Sequence, residues 1–370
     1  MNKEYFLHLY NKDGKLLNTI ALHKVLQKEL SDYELTHWQR IGNRSIIYYT
    51  KNNKILKIKG VGVEKYQSHY SNSIDLFYNK FISKTNIKYL KYQVYNPKLI
   101  NLSKRNVIIV NQPYQEFIGE PIGGCGAKEL RAFKLADKIV DKSILEVIPI
   151  HYFNIFTSNM PIYIVIYEVV NEEKFGFGKT LMDSLYDLEI IKQTAKTLRG
   201  LYDSHIVVSK DKNIVEDIGK YGLYKDLADT YFIENDKDLK LHYFGMLYNF
   251  FRLAFYEYSN LYKNTDFMKS VFSYFLSSFY SPSLSPNNNK KKEKRRTRLD
   301  NKAIKELDEI KIAYLIARIL DLEVPTAKQL NYFLEKKIGK GFEAGDKLAL
   351  MSYWFLDRYY HYNYSLEEIV

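Results

Sequence analysis

Residues 162–202 read IYIVIYEVVNEEKFGFGKTLMDSLYDLEIIKQTAKTLRGLY, and across them the chain changes its period. Ile162 to Val170 is a run of β-branched and aromatic residues, the composition of a strand buried on both faces. Thr180 to Tyr202 instead places Leu181, Leu185, Leu188, Ile191, Ala195 and Leu198 three or four residues apart, the stripe of an amphipathic helix. Strand signals lie before this point, at Tyr5–Leu9, Ser45–Tyr49, Asn106–Val110 and Ile144–Phe153, and helical ones dominate after it. The sequence therefore predicts an α+β fold with a mostly helical C-terminal half.

Working outward, Lys51-Asn52-Asn53 and Asp13-Gly14 read as turns, and Ile20 to Tyr33 as a helix. Residues 61–105 are polar, Tyr-rich and without a clean period, as in an insertion of mixed structure. Leu130, Phe133, Ala136 and Ile139 give Ala127 to Val140 a helical period. On the other side, residues 206–234 return to short strands and turns, and Phe244 to Tyr262 is apolar nearly all round, the mark of a deep helix. Pro282 to Arg298 breaks the pattern. Ala303 to Leu320 then reads as one helix, followed by two more starting at the caps Thr326 and Asp346. These signals divide the chain into an α+β lobe at 1–170, a mostly helical lobe at 171–281, a basic linker or loop at 282–300 and a helical extension at 301–370.

The chain has 370 residues, 46% of them hydrophobic, enough for a sizeable core. Its aromatic content is unusual, with 34 Tyr and 21 Phe. Tyrosine suits cores, interfaces and base-stacking surfaces alike, and the enrichment is also what an AT-rich coding sequence produces. The net charge of +12 is concentrated: Lys290, Lys291, Lys292, Lys294, Arg295, Arg296 and Arg298, opposed only by Glu293, supply half of it. Cys125 is the single cysteine, which excludes an internal disulfide and a multi-cysteine zinc site. Glu4, His8 and Asn11-Lys12-Asp13 interrupt the opening apolar residues, unlike a signal peptide. The longest apolar stretches fall short of the ~20 residues of a membrane span. An intracellular, cytoplasmic and reducing setting is expected.

Three groups of residues suggest a nucleotide site. Ile55-Leu56-Lys57-Ile58-Lys59-Gly60 sets two lysines on one face of a strand. The Gly-rich turn Gly119 to Gly126 opens the helix carrying Glu129, and a helix N-terminus is an available anion site. Asp226 sits in the apolar frame Tyr224-Lys225-Asp226-Leu227-Ala228. A lysine, a helical glutamate and a metal-binding aspartate together suit ATP and its Mg²⁺.

Over residues 38–280, this order resembles the two-lobed protein-kinase-like superfamily. Ile41-Gly42-Asn43-Arg44-Ser45 resembles the hairpin that covers the nucleotide, and Ile55 to Lys59 the strand bearing the phosphate lysine. Lys59-Gly60-Val61-Gly62 is also similar to a segment of selenoprotein-O-like pseudokinases. The resemblance implies that Lys57 or Lys59 holds phosphates, that Glu129 orients that lysine, and that Asn213 and Asp226 bind Mg²⁺. It further implies a phosphoryl or nucleotidyl transferase, or a pseudokinase. The chain departs from the family where its catalytic loop belongs: the position five before Asn213 is Val208, and Asp211 is the candidate base in its place.

Two other readings compete. Lys174-Phe175-Gly176-Phe177-Gly178-Lys179-Thr180 lies between a strand and a helix, as a phosphate-wrapping loop would, with Lys179 and Thr180 as its ligands; Glu173 stands where that pattern has glycine. The bland version of the same segment is a helix-capping turn at Thr180. The second is a non-catalytic nucleic-acid-binding protein of a virus or mobile element, using the basic run 290–298 and its tyrosines on phosphates and bases. The eight histidines show no metal spacing, and no Gly-x-Ser-x-Gly elbow supports a serine hydrolase.

Overall fold

The computed structural model describes residues 6–10, 16–41, 45–59, 106–109, 131–154, 163–208, 213–279, 290–338 and 347–360. The fold is α+β. It divides into two compact units, Met1–Asp137 with Glu146–Gly178, and Lys138–Leu145 with Lys179–Val370.

The first unit is built on strands. β1 (Phe6–Tyr10) pairs antiparallel with β2 (Leu16–Ala21) and parallel with β6 (Asn106–Ile109). The larger sheet is antiparallel throughout. It contains β3 (Leu35–Ile41), β4 (Ser45–Thr50), β5 (Ile55–Lys59), β7 (Val147–Asn154) and β8 (Tyr163–Val169) in the order β3-β4-β5-β8-β7. The turn from β4 to β5 needs a positive φ, which Asn53 supplies at 60°. Ile46, Ile47 and Tyr48 on β4, Leu56 and Ile58 on β5, and Ile164 to Ile166 on β8 have no exposed surface, so the inner strands are buried on both faces.

Helices cover this sheet. On α1 (Leu22–Glu29), Leu26 is buried, the His23 ring stacks on Tyr48 at 5.7 Å, and Glu29 meets His151 of β7 at 3.3 Å. On α2 (Arg131–Lys138), Phe133 meets Tyr152 of β7 edge-on at 5.4 Å. α1 is shorter than the helix expected over Ile20 to Tyr33, because Ile20 and Ala21 close β2; of the helix expected over Ala127 to Val140, residues 127–130 lie outside the described residues.

The second unit is mostly helical. The amphipathic stretch from Thr180 is two elements: a 3₁₀ turn at Leu181–Ser184, then α3 (Leu188–Asp203). The split has a local cause. Asp187 accepts the N–H groups of Glu189 and Ile190 and starts a new helix there. α5 (Asp236–Phe251), capped by Asn235, continues as a π-helical turn at Arg252–Glu257 and is buried on nearly every face, as its composition predicted. Between α3 and α5 lie β9 (Ile206–Val208), the one-turn helix α4 (Ile214–Asp217) and β10 (Thr230–Phe232), the two strands pairing antiparallel. α6 (Thr265–Phe279) packs on α3 and brings Phe272 and Phe275 against Phe251 at 4.7 and 4.8 Å.

The basic run, expected in a linker or loop, is helical from its first lysine, in α7 (Lys290–Lys305). Its Lys, Arg and Glu residues are good helix formers, and no Gly or Pro interrupts them. The single helix expected over 303–320 is broken instead at Asp308, which caps α8 (Glu309–Ile319) by accepting the Lys311 N–H at 2.8 Å. α8 is buried from Lys311 to Ala317, a core element of this unit rather than part of an appendage. Thr326 caps α9 (Ala327–Phe333) through a reciprocal pair with Gln329, as its sequence indicated. α10 (Lys347–Phe355) packs on α8, and Asp346 lies outside the described residues. Among the described residues, no helix is long and apolar enough to cross a membrane.

Candidate functional site

The two lysines sit on the middle strand of the five-stranded sheet. Lys57 lies between Ile47 of β4 and Tyr167 of β8, and Lys59 between Ser45 and Val165, so both belong to one face of β5. Lys57 is 8% exposed, uncommon for lysine because an ammonium loses hydration on burial. Lys59 is half-buried, with its Nζ 5.2 Å from the centre of the Tyr167 ring. Tyr167 is a site residue that the sequence reading did not single out. Its signal is the alternation along 162–170, which puts Val165, Tyr167 and Val169 on one strand face.

Glu168, next to Tyr167 on the opposite face, holds the edge of this region by charge. It accepts the Tyr33 hydroxyl at 3.0 Å and pairs with Lys54 at 2.9 Å. The Tyr33 phenol is raised above its ordinary range, first by burial and then by that carboxylate. The hydrogen bond to Glu168 raises the Lys54 ammonium.

Asn213 and Asp226 belong to the second unit, and each starts a short helical turn. Asn213 caps α4, its Oδ1 accepting the Val215 N–H at 3.2 Å, while Nδ2 donates to Glu216 at 3.2 Å and lies 3.4 Å from the Tyr258 hydroxyl. Asp226 caps the 3₁₀ turn Leu227–Asp229 by accepting the Ala228 N–H at 3.3 Å. One backbone bond ties the two segments together: the Lys225 N–H donates to the Asp217 carbonyl at the end of α4. The turn before Asp226 is anchored by the Tyr224 N–H, which donates to the Ile144 carbonyl at 2.9 Å.

These are the donors Mg²⁺ accepts, since it is usually held by one or two carboxylates together with substrate phosphates. No group of three or more His, Cys, Asp or Glu suited to a metal occurs among the described residues.

Upstream of Asn213, Val208 ends β9, paired with Thr230 and 5% exposed. A buried valine offers no base at the position where the family resemblance calls for one. His205, before β9, holds a left-handed φ of 58°, and its Nδ1 lies 2.8 Å from the Ile233 carbonyl. That acceptor requires the proton on Nδ1. Asp211, the candidate base, lies outside the described residues, as do Glu129 and the Gly119 to Gly126 turn with Cys125.

The Gly-Lys-Thr segment forms a helix-capping turn. Phe177 and Gly178 turn the chain with φ of 49° and 85°. Thr180 and Asp183 then form a reciprocal cap: the Met182 N–H donates to the Thr180 hydroxyl at 3.3 Å and the Thr180 N–H to the Asp183 carboxylate at 3.0 Å. The Leu181 N–H donates to the Ile218 carbonyl at 2.9 Å. The Thr180, Leu181 and Met182 N–H groups are thus engaged within the protein, the first of them by an acid. The one-turn 3₁₀ segment also lacks the stacked N–H groups of an α-helix N-terminus.

No protein-family model matches the chain, and no curated protein sequence matches it at a significant level.

Proposed function

We propose that this chain is a nucleotide-binding protein of protein-kinase-like architecture, taking ATP with Mg²⁺. The observation that carries the reading is the lysine pair on the middle strand of an antiparallel five-stranded sheet, with a helix inserted before its last two strands and a mostly helical unit following. That is the order of parts the resemblance implied: hairpin, lysine strand, helix, closing strand, helical half. Lys57 and Lys59 are the phosphate ligands in this reading, Glu129 the residue that orients them, and Asn213 and Asp226 the Mg²⁺ ligands. The ion would neutralise charge on the phosphates. The protein contributes positioning and fixed charge, which dominate phosphoryl transfer.

The buried Val208 favours a weak transferase or a pseudokinase over a fast enzyme, because proton removal from an acceptor has no side chain there to perform it. A thermal-shift titration tests the reading. ATP with Mg²⁺ raises the melting temperature, as a ligand selective for the folded state must. Asp226→Asn keeps the cap at Ala228 and abolishes the Mg²⁺-dependent part of the shift. Absence of any shift at millimolar nucleotide, in protein shown to be folded by circular dichroism, ends the proposal.

A further inference from the structure

Lys59 and Tyr167 meet across a diagonal of the five-stranded sheet. In the register of β5 and β8, Lys57 stands opposite Tyr167, and Lys59 opposite Val165. Diagonal neighbours of an antiparallel pair lie about 7–8 Å apart, within reach of long and aromatic side chains. Lys59 and Tyr167 use that reach: the Nζ lies over the ring, 5.2 Å from its centre. That is inside the ~6 Å over which a ring face attracts a cation. The direct neighbours of Lys59 across the strands, Ser45 of β4 and Val165 of β8, carry no charge to draw the ammonium elsewhere. Tyr167 is itself held in place. β8 is an inner strand, with Lys57 of β5 on one side of Tyr167 and Pro149 of β7 on the other, and the tyrosine is 2% exposed.

We propose, on the reading that this chain binds ATP, that Tyr167 is a positioning residue of the nucleotide site and holds the Lys59 ammonium where it meets phosphate. A lysine side chain is flexible, and pinning its ammonium on a ligand loses rotamer entropy. A ring that already holds the cation takes part of that loss before the nucleotide arrives, which is preorganisation. Burial of the ring strengthens the hold, because a cation–π contact gains as water is excluded from it. Tyr167 also fixes the ammonium without cancelling its charge, since the ring attracts through its quadrupole and carries no net charge. A carboxylate in the same place would compete with the phosphate. Leucine fills the core at this position without a ring face, whereas phenylalanine keeps the face and loses only the hydroxyl. That difference separates positioning from packing.

The test has two readouts. Isothermal calorimetry with ATP and Mg²⁺ compares the wild type with Y167L, Y167F, K59A and the double variant K59A/Y167L. Y167L lowers affinity about fivefold, the loss of one cation–π contact. Y167F restores it to within about twofold of the wild type. In the K59A background Y167L lowers affinity no further, because the two side chains act as a unit. The second readout is the NMR spectrum of the wild type without nucleotide. There the ring current moves the Lys59 Hε signal, identified by its loss in K59A, upfield of exposed lysines. If Y167L does not fold by circular dichroism, this shift decides. An unshifted Lys59 signal overturns the proposal while ATP binding stands. So does an unchanged affinity in Y167L, an equal loss in Y167F, or a loss in Y167L that adds in full to that of K59A. Absence of ATP binding by the folded wild type overturns the nucleotide reading and, with it, this role for Tyr167.

Discussion

At the scale of single residues, backbone contacts set the tolerances. Gly222 has a φ of +78°, and a Cβ there would lie 2.8 Å from the Ile190 carbonyl and 2.9 Å from the Thr194 nitrogen, both on α3. Neither backbone atom can move without disturbing the helix. Gly178 shares the positive φ, at +85°, but among the described residues its Cβ would meet only the Ile41 side chain at 3.2 Å, which can rotate away. Gly222→Ala is expected to cost about 2–4 kcal/mol, from the left-handed backbone plus overpacking, and Gly178→Ala about 1 kcal/mol. Urea midpoints for the two variants give the comparison, and equal losses would mean that the α3 contact is unimportant. Nothing in the local sequence separates these glycines, because the atoms that distinguish them come from distant segments.

Among elements, caps decided the boundaries that periodicity missed. The stripe from Leu181 to Leu198 is continuous in sequence, yet Asp187 starts a fresh helix within it, as Asp308 does within 303–320. An apolar period survives such a break because the face it buries does not change, while the hydrogen-bond ladder restarts. The same consideration separates the lysines. With its neighbours committed to a cap, Lys179→Ala is expected to leave ATP affinity within about twofold, whereas Lys57→Ala or Lys59→Ala lowers it at least tenfold, the loss of one charge-assisted contact. Thr180→Ala should cost about 1 kcal/mol of stability and no affinity. Isothermal calorimetry of the four variants settles the matter, and a large loss at Lys179 alone would restore the phosphate-loop reading.

For the whole molecule, the tyrosines make stability sensitive to alkali. Burial raises the phenols of Tyr202 and Tyr33, and raises Tyr243 most, where the hydroxyl donates to the Leu198 and Ile206 carbonyls from a site with no exposed surface. In the unfolded chain these groups ionise near pH 10. A folded value raised above that contributes stability fully present below pH 10 and lost as the pH rises through the folded value. Lys54, raised by Glu168, acts in the same direction. The melting temperature should therefore fall from about pH 10 upward. A single fully shifted phenol contributes a slope of about 1.4 kcal/mol per pH unit. Tyr243→Phe should lower stability at pH 8 through its lost hydrogen bonds, yet flatten the alkaline fall. An unchanged slope in that variant would show that Tyr243 ionises without unfolding the chain.

The α+β class, the strand at 162–170, the deep helical stretch from Phe244, the cap at Thr326 and the pairing of two lysines on one strand face were all determined by sequence alone. Each depends on residue type and spacing within a few turns, where sterics and hydrogen bonding are local. Tertiary structure decided what those residues face. It ordered the strands β3-β4-β5-β8-β7, which buried Lys57 and set Tyr167 beside Lys59. It joined Thr180 to Asp183 in a reciprocal cap, and it packed one side of the basic helix on α8 through Asp300 and Arg318. Burial and partner choice arise from segments far apart in the chain, and composition carries no record of which segments will meet.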